Sequence, residues 1–485
     1  MNASPLMFFR ASDAGVAPRP QLLEERIDGT SDVFLVPFLD GYLYYSPLNN
    51  TTILLDGFAA SAVRKQFAGD ALAPAEQAVI DRLGPAVLRV PLPDEGVGPH
   101  DNIAWVPTSA TFSATQKCTL RCKYCYAEGG RLDDLDLPWP IARAAIDLVI
   151  ANAVKEQVNP SITFLGEGEA TASWDVFCRT IDYFEEQCAA HGLKPAVSLS
   201  TNGVFSRQRL DYVAAHCTHL TISIDGIQRV HDGNRVLPNG KGSFDRIMAT
   251  LRGLEARGVG YDIRSTVTAA SCSTMADFVT FVGENLQCRS IHFEPVFDVT
   301  SVTSSLADRI DPLDPAEFVA NYRKARRAAA GLGIEIYYSG ASMRSKDSFC
   351  GATDASTFLV TTRGLVTSCN EVLQPSDPRA QIFHYGAWNE EAGAFVIDPA
   401  AVNRLGKLNV REMPKCQGCM AKYNCAGDCY AKSALVSGTG DPAAAGYTGR
   451  CQITRELLKD NLMMALISTQ VGVEPPPAEQ RACAM

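Results

Sequence analysis

Between residues 109 and 294, short runs rich in apolar and β-branched residues alternate with longer segments whose apolar positions recur every three to four residues. The short runs are Ser109–Thr115, Ile162–Leu165, Ala196–Ser200, His219–Ile224, Tyr261–Val267 and Ser290–Glu294, and they read as strands. The longer segments Pro140–Val154, Trp174–Cys188, Phe244–Ala256 and Met275–Asn285 read as helices, with Pro140 suited to a first turn. Six strands alternating with helices predict parallel βα units in a barrel or partial barrel. Such a fold gathers the loops after its strands into one mouth at their C-terminal ends.

Residues 1–100 have a different rhythm. Val33–Val36, Tyr42–Tyr45 and Thr52–Leu55 read as short strands, with a turn at Pro47-Leu48-Asn49-Asn50, and helices follow at Ala59–Phe67 and Ala75–Arg82. Downstream of the barrel, the Ser/Thr-rich stretch 299–314 reads as loop, Pro315–Ala330 as helix and Ile334–Tyr338 as strand. The tail from Glu474, with Pro475-Pro476-Pro477, is expected to be disordered. These changes divide the chain into an N-terminal α+β module (1–100), the barrel (105–310), a bridge (311–345), a cysteine-rich region (346–460) and a C-terminal helix and tail (461–485).

At 485 residues the chain exceeds one ordinary core, and 46% apolar with 20% charged residues fits a folded, soluble protein. A net charge of −10 argues against nucleic acid or an anionic membrane as the main partner. No secretion leader and no apolar run of bilayer-spanning length is visible, so a cytoplasmic protein is expected. Sixteen cysteines in such a chain favour metal ligation over disulfides. Ten of them fall into two sets; Cys178, Cys188, Cys217, Cys272 and Cys288 read as buried small hydrophobes, and Cys483 has no assigned role.

The first set, Cys118, Cys122 and Cys125, directly follows the first strand at the expected mouth. Three thiolates can hold three irons of a 4Fe–4S cluster and leave the fourth open, whereas a zinc knuckle or three buried thiols are the bland alternatives. The C-x₃-C-x₂-C spacing resembles the signature of radical S-adenosylmethionine (SAM) enzymes. That resemblance implies a partial (β/α)6 barrel whose open iron chelates SAM, so that one electron releases a 5′-deoxyadenosyl radical. It extends strand by strand. Gly166-Glu167-Gly168-Glu169-Ala170 is similar to the family's Gly-Gly-Glu-Pro segment, departing at Glu167 and Ala170. Ser200-Thr201-Asn202-Gly203 and Ser223-Ile224-Asp225-Gly226 follow later strands, and Arg264 lies on the fifth. By resemblance, Tyr124, Gly168, Glu169, Ser200, Asn202, Ser223 and Arg264 are the candidate SAM contacts.

The second set is Cys350, Cys369, Cys416, Cys419, Cys425, Cys429 and Cys451. Its spacing resembles the SPASM extension, which carries two auxiliary iron–sulfur clusters, expected to be 4Fe–4S. Carried over by position, Cys416, Cys419, Cys425 and Cys451 would hold the distal cluster. Cys350, Cys369 and Cys429 would hold the nearer one, whose fourth ligand has no cysteine candidate between Cys288 and Cys350. Sulfatase maturases have an acid after the second SPASM cysteine; here that residue is Asn370, with Glu371 adjacent as a weak catalytic candidate that strand alternation could turn away.

The remaining resemblance is to maturases of ribosomally made peptides, in which a winged-helix-like module pairs an exposed edge strand with a leader peptide. A small capping domain is the other reading of residues 1–100. The expectation is thus a cytoplasmic peptide maturase that takes hydrogen from its precursor peptide, most simply to form a side-chain crosslink. A flavodoxin- or ferredoxin-type protein would supply its electrons. The alternatives are a dehydrogenase acting on a protein or small molecule, and a non-catalytic metal-binding or electron-transfer protein.

Overall fold

A computed structural model describes residues 8–9, 25–27, 32–89, 104–297, 311, 313–353 and 356–471. Most of the Ser/Thr-rich stretch, the tail from Glu474, Cys483 and parts of the 1–100 module lie outside the described residues.

Three antiparallel strands, β1 (Phe34–Phe38), β2 (Gly41–Ser46) and β3 (Thr51–Leu55), precede helices α1 (Gly57–Ala68) and α2 (Pro74–Leu83). Asp56 caps α1 by accepting from the Ala59 amide, and Gly69 closes it in the left-handed region. Leu35, Tyr44 and Ile53 pack on the two helices. On the opposite face Phe34, Val36, Leu43 and Tyr45 pack on Met420, Leu458 and Leu462 near the other end of the chain. Apolar residues on both faces of the sheet thus bind it to its own helices and to the C-terminal region. At the edges of this sheet Glu25–Arg26 pairs antiparallel with Phe34–Leu35 of β1, and Phe8–Phe9 pairs parallel with Leu54–Leu55 of β3.

The barrel strands are β4 (Ser109–Phe112), β5 (Ser161–Phe164), β6 (Ala196–Thr201), β7 (His219–Ser223), β8 (Asp262–Val267) and β9 (Ser290–Pro295), all parallel to their neighbours. The expected helices are found at Trp139–Glu156, Trp174–Ala190, Phe244–Glu255 and Met275–Asn285; two shorter ones, Arg207–His216 and Gln228–Asn234, had been missed. Along each of β4–β7 every second residue is buried, among them Phe112, Phe164, Leu199 and Ile222. The alternate positions Thr111, Thr163, Ser198, Ser200, Thr221 and Ser223 line the lumen. The lumen is thus walled by hydroxyls instead of being packed shut by aliphatic side chains.

The sheet does not stop at six strands. Glu335–Tyr337 (β10) adds a parallel strand beside β9, and Pro315–Leu332 packs with Met275–Asn285. At the other edge Leu359–Val360 (β11) pairs parallel with β4, and Leu365–Thr367 (β12), His384–Asn389 (β13) and Ala394–Ile397 (β14) follow antiparallel, giving eleven strands in one sheet. Residues 315–337 consequently extend the barrel and are no bridge between domains. The helix Gly449–Val471 likewise runs through the expected boundary at 460. No helix among the described residues is long and apolar enough to cross a membrane.

Candidate functional site

After β4 the chain makes a long loop before Trp139, and this loop carries Cys118, Cys122 and Cys125. Its base is fixed by a two-residue antiparallel pairing of Arg121–Cys122 with Arg235–Val236. All three thiols are free. They lie close together: the Cys118 thiol feels the charge of Cys125, and the Cys122 thiol those of Cys125 and Cys118. Burial, more than those charges, pushes the Cys118 and Cys122 thiols up to about 12. Asn202 Nδ2 donates to Cys118 Sγ at 3.7 Å, and Arg235 Nη1 to Cys122 Sγ at 3.8 Å.

The loops after the next strands close on this one. A Cβ at Gly168 would collide with the Thr115 and Lys117 carbonyl oxygens, so the glycine lets two backbones touch. Glu169 is buried, and burial raises its carboxyl above the usual range. Its oxygens accept from the Thr171 and Thr201 hydroxyls, both at 2.8 Å, and from the Asn202 amide at 2.8 Å. Asn202 in turn donates to Thr119 Oγ1 at 3.0 Å. Tyr124 donates to Asp225, which also holds the Arg235 guanidinium at 3.0 Å. Glu169, Asn202 and Tyr124 thus have polar groups engaged around the cysteine loop, and they line the same cavity as Gly168, Ser200, Ser223 and Arg264.

Glu167 is the residue that motif matching passed over as a departure. It is fully enclosed and accepts from Ser113 Oγ (2.9 Å), Gln116 Nε2 (2.9 Å), Gln374 Nε2 (2.6 Å) and the Thr362 amide and hydroxyl (2.9 and 2.8 Å). One carboxylate therefore joins the first barrel strand to the C-terminal region. Nothing local in the sequence signals that role, since its partners lie up to 207 residues away.

The C-terminal thiols fall into two neighbourhoods. Cys425 feels the charges of Cys416, Cys419 and Cys451, whereas Cys369 feels those of Cys350 and Cys429. Lys422–Ala426 forms a π-helical turn, and Ala426, Gly427 and Asp428 have φ of 52°, 86° and 65°. Consecutive unusual dihedrals of this kind turn backbone amides toward one point, a cradle suited to an anionic cluster. Asp428 is held below the usual carboxylate range: burial would raise it, but Arg450 binds it through Nε and Nη2 at 2.8 and 2.9 Å. Arg450 also reaches Glu294 Oε1 at 2.6 Å.

A single cavity spans from the Cys118 loop to this region. Its walls include Cys125, Tyr126, Ser200, Arg264, Asn370, Glu371, Cys429 and Lys432. Residues 370 and 371 sit in a turn after β12, so strand alternation does not apply and both face the cavity, correcting the expectation that Glu371 could point away. Lys432 Nζ lies 3.3 Å from Glu371 Oε1 and over the Phe297 ring. Burial, the largest single influence, would depress this ammonium, but the charges of Glu371, Cys429 and Glu294 together hold its pKa above the ordinary lysine value. Tyr126, another residue the motifs did not mark, is half-buried within electrostatic reach of Glu371, Cys125 and Cys369.

Residues 112–269 match the family profile described as the Radical SAM superfamily. The chain contains a radical SAM domain. Its matched region includes the cysteine triplet and every strand-end segment described above. A serine-type anaerobic sulfatase-maturating enzyme of Bacteroides thetaiotaomicron is 24% identical over 188 residues, covering 37% of this chain and 44% of that one. The mycofactocin maturase MftC of Mycobacterium tuberculosis is 29% identical over 178 residues, covering 36% and 41%. The chain thus spans less than half the length of these two curated relatives. The crystal structure of Streptococcus suis SuiB bound to precursor peptide SuiA superposes with a TM-score of 0.52 at 15% identity, over 85% of this chain and 97% of that one. At that identity the likeness is one of fold.

The radical SAM domain's donor set suits iron–sulfur ligation: free thiols, partly or fully buried, at the mouth of a hydroxyl-lined barrel. Among the described residues, no three His, Cys, Asp or Glu side chains are arranged to grip one metal ion. Thiols that each bind a different iron of a cube need not converge on one point.

Proposed function

We propose that this chain is a radical SAM peptide maturase that abstracts hydrogen from a precursor peptide to form a side-chain crosslink. The observation that carries this reading is the continuous cavity joining the triplet loop to Glu371, Cys429 and Lys432. Cys118, Cys122 and Cys125 would hold the SAM-binding cluster. Cys350, Cys369 and Cys429 would hold the nearer auxiliary cluster, and Cys416, Cys419, Cys425 and Cys451 the distal one. With SAM bound, the first cluster supplies a carbon radical able to take hydrogen from an unactivated C–H bond.

The chain's own residues position and protect. Arg264 offers a fixed cation to a carboxylate, and Ser200 and Ser223 offer hydroxyls to a ribose. Glu371 Oε2 accepts no hydrogen bond and lies 4.0 Å from Arg379 Nη1; it would take the proton from a substrate carbon whose electron passes to the nearer auxiliary cluster. Lys432, 3.3 Å from Oε1, ties that carboxylate to the cavity wall. A second lumen of about 1080 Å3 shares Leu165 and Asn370 with the first and is lined by Ser109, Ser161 and Ser198. It exceeds the usual small-molecule pocket, and its hydroxyls suit the amides of an extended peptide.

The test is anaerobic reconstitution with assay of 5′-deoxyadenosine, with and without short peptides encoded beside the gene. Peptide-stimulated turnover with a mass loss of about two hydrogens per crosslink is the expected result. SAM cleavage indifferent to every such peptide would transfer the reading to a dehydrogenase of a protein or small molecule. Glu371, one position beyond the acid of sulfatase maturases yet inside the cavity, is the observation that keeps this second reading.

A further inference from the structure

Outside the barrel, against the cysteine loop, lies a groove that the proposed chemistry does not use. Its floor is apolar, formed by Val204, Phe205, Leu237 and Pro238. Four arginines and no acid line it: Arg207, Arg209, Arg246 and Arg257. Two of these are engaged. Arg209 donates to the Thr171 carbonyl and stacks over Trp174, and Arg257 is paired with Asp211. Arg207 and Arg246 are exposed and make no ion pair among the described residues. The N-terminus of the ten-residue helix Arg207–His216, capped by Ser206, opens on the same groove and adds its positive end. In a chain of net charge −10 this is a local reversal of sign.

The groove's position gives it meaning. Thr119 lines it, adjoins Cys118 in the chain, and bonds to Asn202, whose amide also touches Cys118 Sγ. A redox partner seated there would stand one residue from a thiol of the triplet. We infer that this groove is the docking surface of an acidic flavodoxin-type carrier, which presents the apolar edge of its flavin to the Val204–Phe205 floor while its carboxylates meet Arg207 and Arg246. One electron leaves the reduced flavin and enters the cluster at Cys118, Cys122 and Cys125; no atom is transferred. This inference rests on the radical SAM reading of the triplet. Exposed charges of this kind act mainly on encounter, so the contact is salt-sensitive.

Cluster-loaded wild type, Arg207→Glu/Arg246→Glu and Arg252→Glu would each be mixed anaerobically with a reduced bacterial flavodoxin. Arg252 is an exposed arginine of the same helix as Arg246 but outside the groove, so it controls for net charge. Both groove substitutions lie in the first turns of helices, where glutamate is well tolerated. Two quantities are read: flavodoxin binding by titration at low and high salt, and the rate of cluster bleaching. For the double variant, binding and rate are expected to fall roughly tenfold or more at low salt, and the difference to shrink at high salt. Arg252→Glu should behave as wild type. Equal rates in all three proteins, equal loss in the Arg252 control, or reduction of wild type by ferredoxin but not flavodoxin would each overturn the inference. Chemical reduction by dithionite separates the two levels: SAM cleavage by all three proteins keeps the enzyme reading, and its absence in wild type removes that reading instead.

Discussion

At the residue scale, Glu167 shows how a motif departure gains its reason only in three dimensions. Five donors converge on this carboxylate, so Glu167→Gln would set an amide against amides and leave buried donors unsatisfied. We expect a loss of about 2–4 kcal/mol, read from denaturant midpoints, with the cysteine loop still able to bind iron. His231 makes a second residue-level prediction. Its Nδ1 accepts from the Asp225 amide, and its Nε2 faces Ser243 Oγ at 3.0 Å, whose own proton goes to the Arg235 carbonyl. Burial, opposed by Asp225, lowers its pKa from 6.5 to about 4. The unfolded chain therefore takes up a proton that the folded chain refuses, so stability is full above pH 6.5 and declines as pH falls toward 4. The decline is on the order of 3 kcal/mol, and His231→Gln should flatten that part of a stability–pH curve. Neither residue could have been assigned its role from neighbours in the chain. Glu169 and Asn202 teach the same lesson in reverse: the family pattern marks them for SAM, while the geometry spends much of their polar capacity on the cysteine loop.

At the scale of elements the sequence is far more legible. Alternation of Ser or Thr with Phe, Val, Leu or Ile is written into β4–β7, and the structure places the hydroxyl face toward the lumen. Helix α1 ends where the chemistry favours it, with Asp56 capping its start and Gly69 its close. The short helices Arg207–His216 and Gln228–Asn234 carry little apolar periodicity and were passed over. The left-handed run Ala426-Gly427-Asp428 was also invisible, because alanine does not ordinarily adopt it and a lone Gly-Asp pair is common in plain turns. Gly427→Ala would add a Cβ that collides with Met413 Sδ at an already left-handed residue. We expect roughly 1–2 kcal/mol of backbone strain and a protein that reconstitutes with about one cluster fewer by iron analysis. Unchanged iron content would sink the cradle reading of this loop.

At the scale of the whole molecule, Cys429 of the C-terminal set and all three thiols of the triplet line one cavity although more than 300 residues separate Cys125 from Cys429. If each set holds its own clusters, Cys118→Ala/Cys122→Ala/Cys125→Ala should lower bound iron by about a third and abolish SAM cleavage. Its far-UV circular dichroism should stay near wild type, since the sheet and helices are built from other residues. Loss of nearly all iron would instead mean that the sets do not load independently. The buried ties Arg450–Glu294, Arg450–Asp428 and Lys422–Asp32 join barrel, cysteine-rich region and N-terminal sheet, so domain edges drawn from composition could not mark them.

The sequence by itself determined the parallel βα succession, the hydroxyl-lined inner face and the two sets of thiols, because periodicity and spacing are local properties of a chain. Only the tertiary structure decided that Phe34, Val36, Leu43 and Tyr45 of the N-terminal sheet bury against the C-terminal region, that the barrel sheet grows to eleven strands among the described residues, and that Glu167, Tyr126 and Lys432 stand where they do. Those outcomes depend on which distant surfaces bury one another, and a pattern of residues along the chain carries no distances between them.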